Sequence, residues 1–273
     1  MSDLDSALAA ELVRLAGETR ALNEPPRATR AVILAGGRGR RLEPYTSVLP
    51  KPLMPIGNRS ILEIVVNQLA DAGFRDLTFC VGYLSHLIQA VFENGPGERV
   101  NIDWVKENEP LGTAGPLRLV SGLRETFLVM NGDLLTTLDY GALLDHHRAS
   151  QNLLTIATHR RLVQSDYGVL HFGTSDDPQR IVAFEEKPEM YVNVSMGVYV
   201  MEPEILSYIP ENDFFDLPAL VAALLGDRKR VGGLVHQGLW LDIGRHEDYE
   251  AAVALWARGT RLVEADNEVT SEG

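Results

Sequence analysis

From residue 31 onward, short apolar runs alternate with stretches of helical periodicity. Ala31-Val32-Ile33-Leu34 is a four-residue apolar run that ends in glycines, as a strand buried on both faces of a parallel sheet would. Ser60 and Glu63 form a capping-box pair ahead of the periodic stretch 61–69, and Gly73 supplies a stop. Runs at 77–81, 100–105 and 127–130 read as further strands, and 86–92 and 116–121 as helices. This rhythm predicts an α/β fold with a mainly parallel sheet covered on both faces.

Beyond residue 150 the rhythm changes. Strand-like runs at 153–158, 167–172, 180–185 and 194–201 follow one another with little helix between them. They predict that the sheet continues with an antiparallel part carrying a second half-site. Stretches 217–225 and 247–256 read as closing helices. At the other end, Leu4, Leu8, Leu12 and Leu15 recur at helical spacing, and Pro25-Pro26 closes the segment. Residues 1–29 are expected to be a helical extension and linker, packed on the domain or frayed in solution, or else used for oligomerisation. One domain is expected over 30–260 and a loose polar tail over 261–273. No run approaches the roughly 20 apolar residues a bilayer requires, and the acidic start does not read as a secretory signal.

Composition narrows the partners. The chain has 273 residues and a formal net charge of −13. So acidic a protein is a poor nonspecific binder of nucleic acid, and binding of a large anion requires a local reversal of charge. Residues 30–51 supply it, with Arg30, Arg38, Arg40, Arg41 and Lys51 against Glu43 alone. Cys80 is the single cysteine. It lies in an apolar strand, reads as a buried thiol, and fits a reducing, cytoplasmic location. His146-His147 invite a metal reading, but with no third ligand in view a solvated helix end is preferred.

The strongest chemical signal is Leu34-Ala35-Gly36-Gly37-Arg38-Gly39-Arg40-Arg41-Leu42, followed by Leu49-Pro50-Lys51-Pro52-Leu53. Glycines after a buried strand let the backbone approach a bulky anion and point N–H groups at it. The carboxyl end of a strand is where open α/β sheets bind ligands. The third glycine of the dinucleotide fingerprint is missing, and no Gly-Lys-Ser/Thr follows as in a P-loop.

This pattern resembles the signature of the sugar-1-phosphate nucleotidylyltransferases, the sugar-nucleotide pyrophosphorylases. Later blocks extend the resemblance to about residue 249: Glu109-Pro110-Leu111-Gly112-Thr113-Ala114-Gly115, Asn131-Gly132-Asp133, Phe184-Glu185-Glu186-Lys187-Pro188 and Trp240-Leu241-Asp242-Ile243-Gly244. The resemblance implies a Rossmann-like, three-layer α/β/α fold of the GT-A type with a mixed, mainly parallel sheet. It implies transfer of a nucleoside monophosphate from an NTP to a sugar-1-phosphate with release of pyrophosphate, and a homo-oligomer. The nucleotide would lie on Leu34, Ala35, Gly36, Gly37, Arg38, Gly39, Arg40, Gly112, Thr113 and Asn131. Arg41, Lys51 and Lys187 would act on the phosphates. Gly168, Glu186, Lys187 and Ser195 would hold the sugar phosphate, and Asp133 and Asp242 would hold Mg²⁺. Two carboxylates completed by substrate phosphates suit that hard cation.

Two departures bear on specificity. Arg40 stands where the family usually has threonine. Ser195-Met196-Gly197 replaces the Asn-Ala-Gly of guanylyl and thymidylyl types and looks more like the adenylyltransferases. The block from Glu109 and the block around Asp242 look most like mannose-1-phosphate guanylyltransferases, so GTP is favoured, with UTP, dTTP, ATP or CTP as alternatives. The chain also resembles the shorter bacterial guanylyltransferases for mannose- or heptose-type sugar phosphates, which lack a C-terminal repeat β-helix. A regulatory, non-catalytic paralogue would typically lose Lys51, Asp133, Lys187 or Asp242, and all four are present.

Overall fold

The computed structural model describes residues 30–93, 99–174 and 177–271, so the expected helix over 1–29 lies outside the described residues. The first half contains β1 (Arg30–Ala35), the short β2 (Pro55–Ile56) and β3 (Arg59–Ser60), α1 (Ile61–Asp71), β4 (Asp76–Val81), α2 (Ser85–Glu93), β5 (Asn101–Lys106), β6 (Phe127–Asn131), β7 (Leu134–Thr136) and α3 (Tyr140–Ala149). The second half contains β8 (Leu154–Gln164), β9 (Val169–Phe172), β10 (Ile181–Glu185), β11 (Glu189–Met201), α4 (Leu217–Gly226), β12 (Val231–His236), β13 (Trp240–Asp242) and α5 (His246–Ser271).

Seven strands form the central sheet in the order β12-β8-β11-β6-β1-β4-β5. Only β11 runs against its neighbours β6 and β8, and the other adjacent pairs are parallel. This is the mainly parallel sheet with an antiparallel part that the pattern of runs led to expect, and it fits the Rossmann-like fold that the resemblance implied. Apolar residues on both faces of the strands explain it. Ala31, Ile33 and Ala35 of β1 pack into one core cluster, while Val32 packs into the other with Leu34 beside it.

Local signals set the element ends. Ser60 caps α1, its Oγ accepting the Glu63 N–H at 3.3 Å while Glu63 Oε2 accepts the Ser60 N–H at 2.6 Å. Beyond the main sheet, β9 pairs with β10, and β13 pairs antiparallel with β7. The second pairing places Asp242 opposite Leu134.

The sequence misleads in four places. The expected helix at 116–121 is a five-residue 3-10 turn, Gly115–Leu119, with Pro116 in its opening turn. The three-residue β7 and β13 are too short for a visible alternation. His147 is not solvated. It is 1% exposed in α3, with Nδ1 2.8 Å from Thr155 Oγ1 and Nε2 3.0 Å from Glu202 Oε1. Burial lowers its pKa, against the pull of Glu202. The closing helix α5 continues to Ser271, through much of the stretch expected to be a loose tail. Cys80 is buried as expected, and burial pushes its thiol pKa far up, with the Glu107 charge adding to the shift. No described helix is long and apolar enough to cross a membrane.

Candidate active site

A cleft of about 1300 Å³ opens where β1, β4, β5 and β6 end. Its floor is the glycine loop after β1. Leu42 N–H bonds Gly39 O at 2.9 Å, and Thr46 Oγ1 donates to the same oxygen at 2.9 Å, which folds the loop back on itself. The turn then buries Leu42 and leaves Arg38, Arg40 and Arg41 along the cleft. None of these three arginines pairs with a carboxylate among the described residues. Arg38 lies 5.6 Å from the centre of the Tyr83 ring, a cation–π contact that leaves its charge free.

Lys51 begins a further 3-10 turn, Lys51–Leu53, and is only 9% exposed. Its Nζ forms a close ion pair with Asp133 Oδ2 and lies 3.7 Å from Asp242 Oδ1. Asp133 follows β6, where Gly132 N–H bonds Leu34 O at 2.9 Å, and the Ile243 N–H bonds the Asp133 carbonyl at 3.1 Å. Asp242 Oδ1 accepts the Gly244 N–H at 2.8 Å. The Lys51 and Arg41 tips both lie against Gly244, where a Cβ would come 2.5 Å from Lys51 Nζ and 3.0 Å from Arg41 Nη2. Lys51, Arg41 and Asp133 therefore meet on the wall of the cleft, and Asp242 lies against Lys51 just outside its lining.

The donor set there fits a hard divalent cation. Asp133 Oδ1 is buried and has no hydrogen-bond partner, and an orphaned carboxylate oxygen is costly unless a cation or donor reaches it. The described residues contain no cluster of three or more His, Cys, Asp or Glu suited to a metal. Two carboxylates with room for phosphate oxygens are nonetheless the usual way protein holds Mg²⁺.

The cleft is also lined by a residue the motifs did not flag. Glu107 directly follows β5, is half-buried and lines the cleft. Its Oε2 accepts the Leu111 N–H at 3.1 Å, and Oε1 lies so close to Gly36 that a Cβ there would approach it to 2.5 Å. Burial raises its pKa, with the Leu111 N–H opposing the shift. Its position at the carboxyl end of a strand was the available signal. Tyr83, Lys106, Phe214 and Asp216 also line the cleft, outside the motifs.

The remaining sequence candidates divide. Leu34, Gly36, Gly37, Gly39, Gly112, Thr113 and Asn131 line the cleft, whereas Ala35 is buried in the core. The Thr113 hydroxyl accepts the Leu217 N–H at 2.8 Å, so it braces the start of α4 as well as facing the cleft. Gly168, Glu186 and Lys187 lie on the exposed arm built from β9 and β10 and do not line the cleft. On that arm a Cβ at Gly168 would come 3.1 Å from Glu186 Oε2, and Lys187 holds a left-handed φ of 45°. Ser195 sits at a bulge of β11, its Oγ 2.9 Å from the Tyr199 hydroxyl.

The chain is 32% identical over 240 residues to a mannose-1-phosphate guanyltransferase of Schizosaccharomyces pombe. It is 34% identical over 240 residues to the mannose-1-phosphate guanylyltransferase of Mycobacterium tuberculosis. These matches cover 85% and 84% of this chain, and the chain spans 65% of the length of each relative. Among solved structures, HddC from Yersinia pseudotuberculosis superposes with a TM-score of 0.63 at 26% identity, covering 83% of this chain and 98% of that one. It has also been solved in complex with GMP-PN. A UDP-glucose pyrophosphorylase from Acinetobacter baumanii, at 19% identity and a TM-score of 0.66, covers 89% of this chain and 99% of that one and shares the fold. The family model for nucleotidyl transferases matches residues 30–258, and the chain belongs to that family.

Proposed function

We propose that the chain transfers GMP from GTP to a sugar-1-phosphate and releases pyrophosphate. The observation that carries this reading is that the cationic glycine loop, Lys51 and Asp133 line one nucleotide-sized cleft, with Asp242 3.7 Å from the same Lys51 ammonium. The relatives called mannose-1-phosphate guanylyltransferase support both the reaction class and a mannose-like sugar.

The chemistry asks little of the protein beyond placement and charge. A sugar-phosphate oxygen, already ionised at neutral pH, attacks the α-phosphorus. The new O–P bond forms as the bond to the β-phosphate bridging oxygen breaks, and pyrophosphate leaves. No general base and no covalent enzyme intermediate is needed. The arginines and the backbone N–H groups of the loop hold the triphosphate, and Lys51 adds a point charge. Asp133 and Asp242 would hold Mg²⁺, which supplies charge neutralisation at the reacting phosphates when bound. Lys187, with Glu186, Gly168 and Ser195, would hold the sugar phosphate from the opposing arm. In phosphoryl transfer, preorganised cations of this kind usually account for most of the rate enhancement.

Glu107 supports guanine as the base. Guanine presents two adjacent donors, N1–H and the N2 amine, and an ionised carboxylate is acceptor-only. Uracil and thymine offer a single N3–H between two acceptors, which a carboxylate would repel.

A homo-oligomer is part of this reading. Apolar side chains crowd the outer part of β8, β9, β10 and β11, among them Tyr167, Phe172, Ile181, Phe184 and Tyr191, each more than half exposed, and contiguous exposed apolar surface marks contact sites. A cytoplasmic location fits the single, buried thiol.

The test is a pyrophosphate-release screen of the common NTPs against mannose-, glucose-, glucosamine- and heptose-1-phosphates, with and without Mg²⁺. Release that needs GTP, a sugar-1-phosphate and the metal together supports the proposal. Release that ignores the sugar phosphate would overturn it.

A further inference from the structure

Asp242 faces Lys51 from the end of β13, a strand three residues long that pairs only with β7 among the described strands. So short a strand is a weak platform for a side chain that must be held to a fraction of an ångström. The bracing comes from elsewhere. Asp248, in the first turn of α5, is a carboxylate only 7% exposed, and its Oδ2 accepts the backbone N–H of Asp242 at 3.1 Å. Arg161, on β8, donates from Nη2 to both oxygens of Asp248, at 2.9 and 3.0 Å. The same guanidinium lies 5.0 Å from the centre of the Trp240 ring, two residues before Asp242. The Trp240 Nε1–H in turn donates to Met196 O at 3.0 Å.

We infer that Arg161 and Asp248 form a positioning strut that presents the Asp242 carboxylate to the divalent cation it shares with Asp133. The inference rests on the reading of Asp133 and Asp242 as metal ligands. Neither strut residue lines the cleft. A partly buried ion pair is weak evidence for stability in itself, because desolvation offsets the attraction. Its geometry here is specific: one carboxylate grips the main chain of the ligand residue, and one guanidinium grips that carboxylate. The arginine has a second effect. It neutralises Asp248, so that a negative charge close behind Asp242 does not draw the cation away from the cleft. Partners of metal ligands commonly shift metal affinity about 10- to 100-fold when removed.

The test uses the full chain and reads metal binding directly, by titrating Mn²⁺ calorimetrically and by EPR. R161M and D248N keep approximate volume, and D248N keeps one acceptor oxygen for the Asp242 N–H. Both are expected to weaken Mn²⁺ binding about tenfold and to raise the Mg²⁺ concentration for half-maximal rate by a similar factor. The rate at saturating Mg²⁺ and the affinity for GTP in EDTA should stay near wild type, and R161K should recover part of the loss. The strut is overturned if both variants bind Mn²⁺ within about twofold of wild type while D242N loses binding. It is also overturned if GTP affinity in EDTA falls as far as metal affinity, since that marks general loosening. If D242N itself binds Mn²⁺ normally, the metal reading falls and the strut with it.

Discussion

Asp133 and Asp242 come to one ammonium group, that of Lys51, because the β7–β13 pairing sets Asp242 opposite Leu134, the residue after Asp133. A single backbone ladder thus brings two distant carboxylates together. D133N and D242N should each lower pyrophosphate release by about a hundredfold or more, since each removes a charge from the reacting centre. Near-normal turnover in either variant, with circular dichroism unchanged, would remove that aspartate from the mechanism.

The carboxylate of Glu107 makes a prediction about base choice. E107Q should raise the KM for GTP about tenfold, the cost of losing one charged hydrogen-bond acceptor. It should also narrow the preference for GTP over UTP and ATP. An unchanged nucleotide profile would take Glu107 out of base recognition.

A pH dependence follows with a definite sign. Burial raises the pKa of Glu107, so it takes up its proton at a higher pH than an ordinary carboxyl group, and the protonated form no longer accepts both guanine donors. The KM for GTP should therefore rise as pH falls, beginning above the ordinary carboxylate range, and E107Q should flatten that limb. An acid limb of equal size in wild type and E107Q would contradict this.

The legible part of the fold was the part built from long apolar runs. β1, β4 and β6 are buried along most of their length, so their composition alone marks them, and the glycine loop and Asp133 stand at their ends. What stayed hidden is short or depends on tertiary partners. β13 has three residues, too few for periodicity. Glu107 looks like any polar residue after a strand until Gly36 is seen against it. His147 reads as polar, but its burial depends on Thr155 and Glu202, which the chain brings in later. Asp248 reads as a first-turn acid of a helix, a common dipole partner, and only its bonds to Arg161 and Asp242 show otherwise.

Lys187 offers a test that separates the two proposed substrates. It lies on the exposed arm, away from the cleft that Lys51 occupies. K187A should raise the KM for the sugar-1-phosphate about tenfold, the loss of one charged contact, and leave the KM for GTP nearly unchanged. Equal effects on both would place it outside sugar-phosphate binding.

Gly112 tests the nucleotide-side loop. Its φ is 81°, and a Cβ there would lie 2.6 Å from Phe215 O, the oxygen that accepts the N–H groups of Ala114 and Gly115 at 3.0 and 2.9 Å. G112A should cost about 1–3 kcal/mol of stability through backbone strain, measured by urea denaturation. An unchanged midpoint would show that the loop can reshape.

The late position of β13 in the chain has a consequence for biosynthesis. A polypeptide still emerging from the ribosome can complete β1, its glycine loop and Lys51 long before residue 242 has been made. Such a nascent chain carries the glycine loop, Lys51 and, once β6 is made, Asp133, but not Asp242. The pair of carboxylates that faces Lys51 is therefore complete only after residue 242 has been translated and β13 has paired with β7.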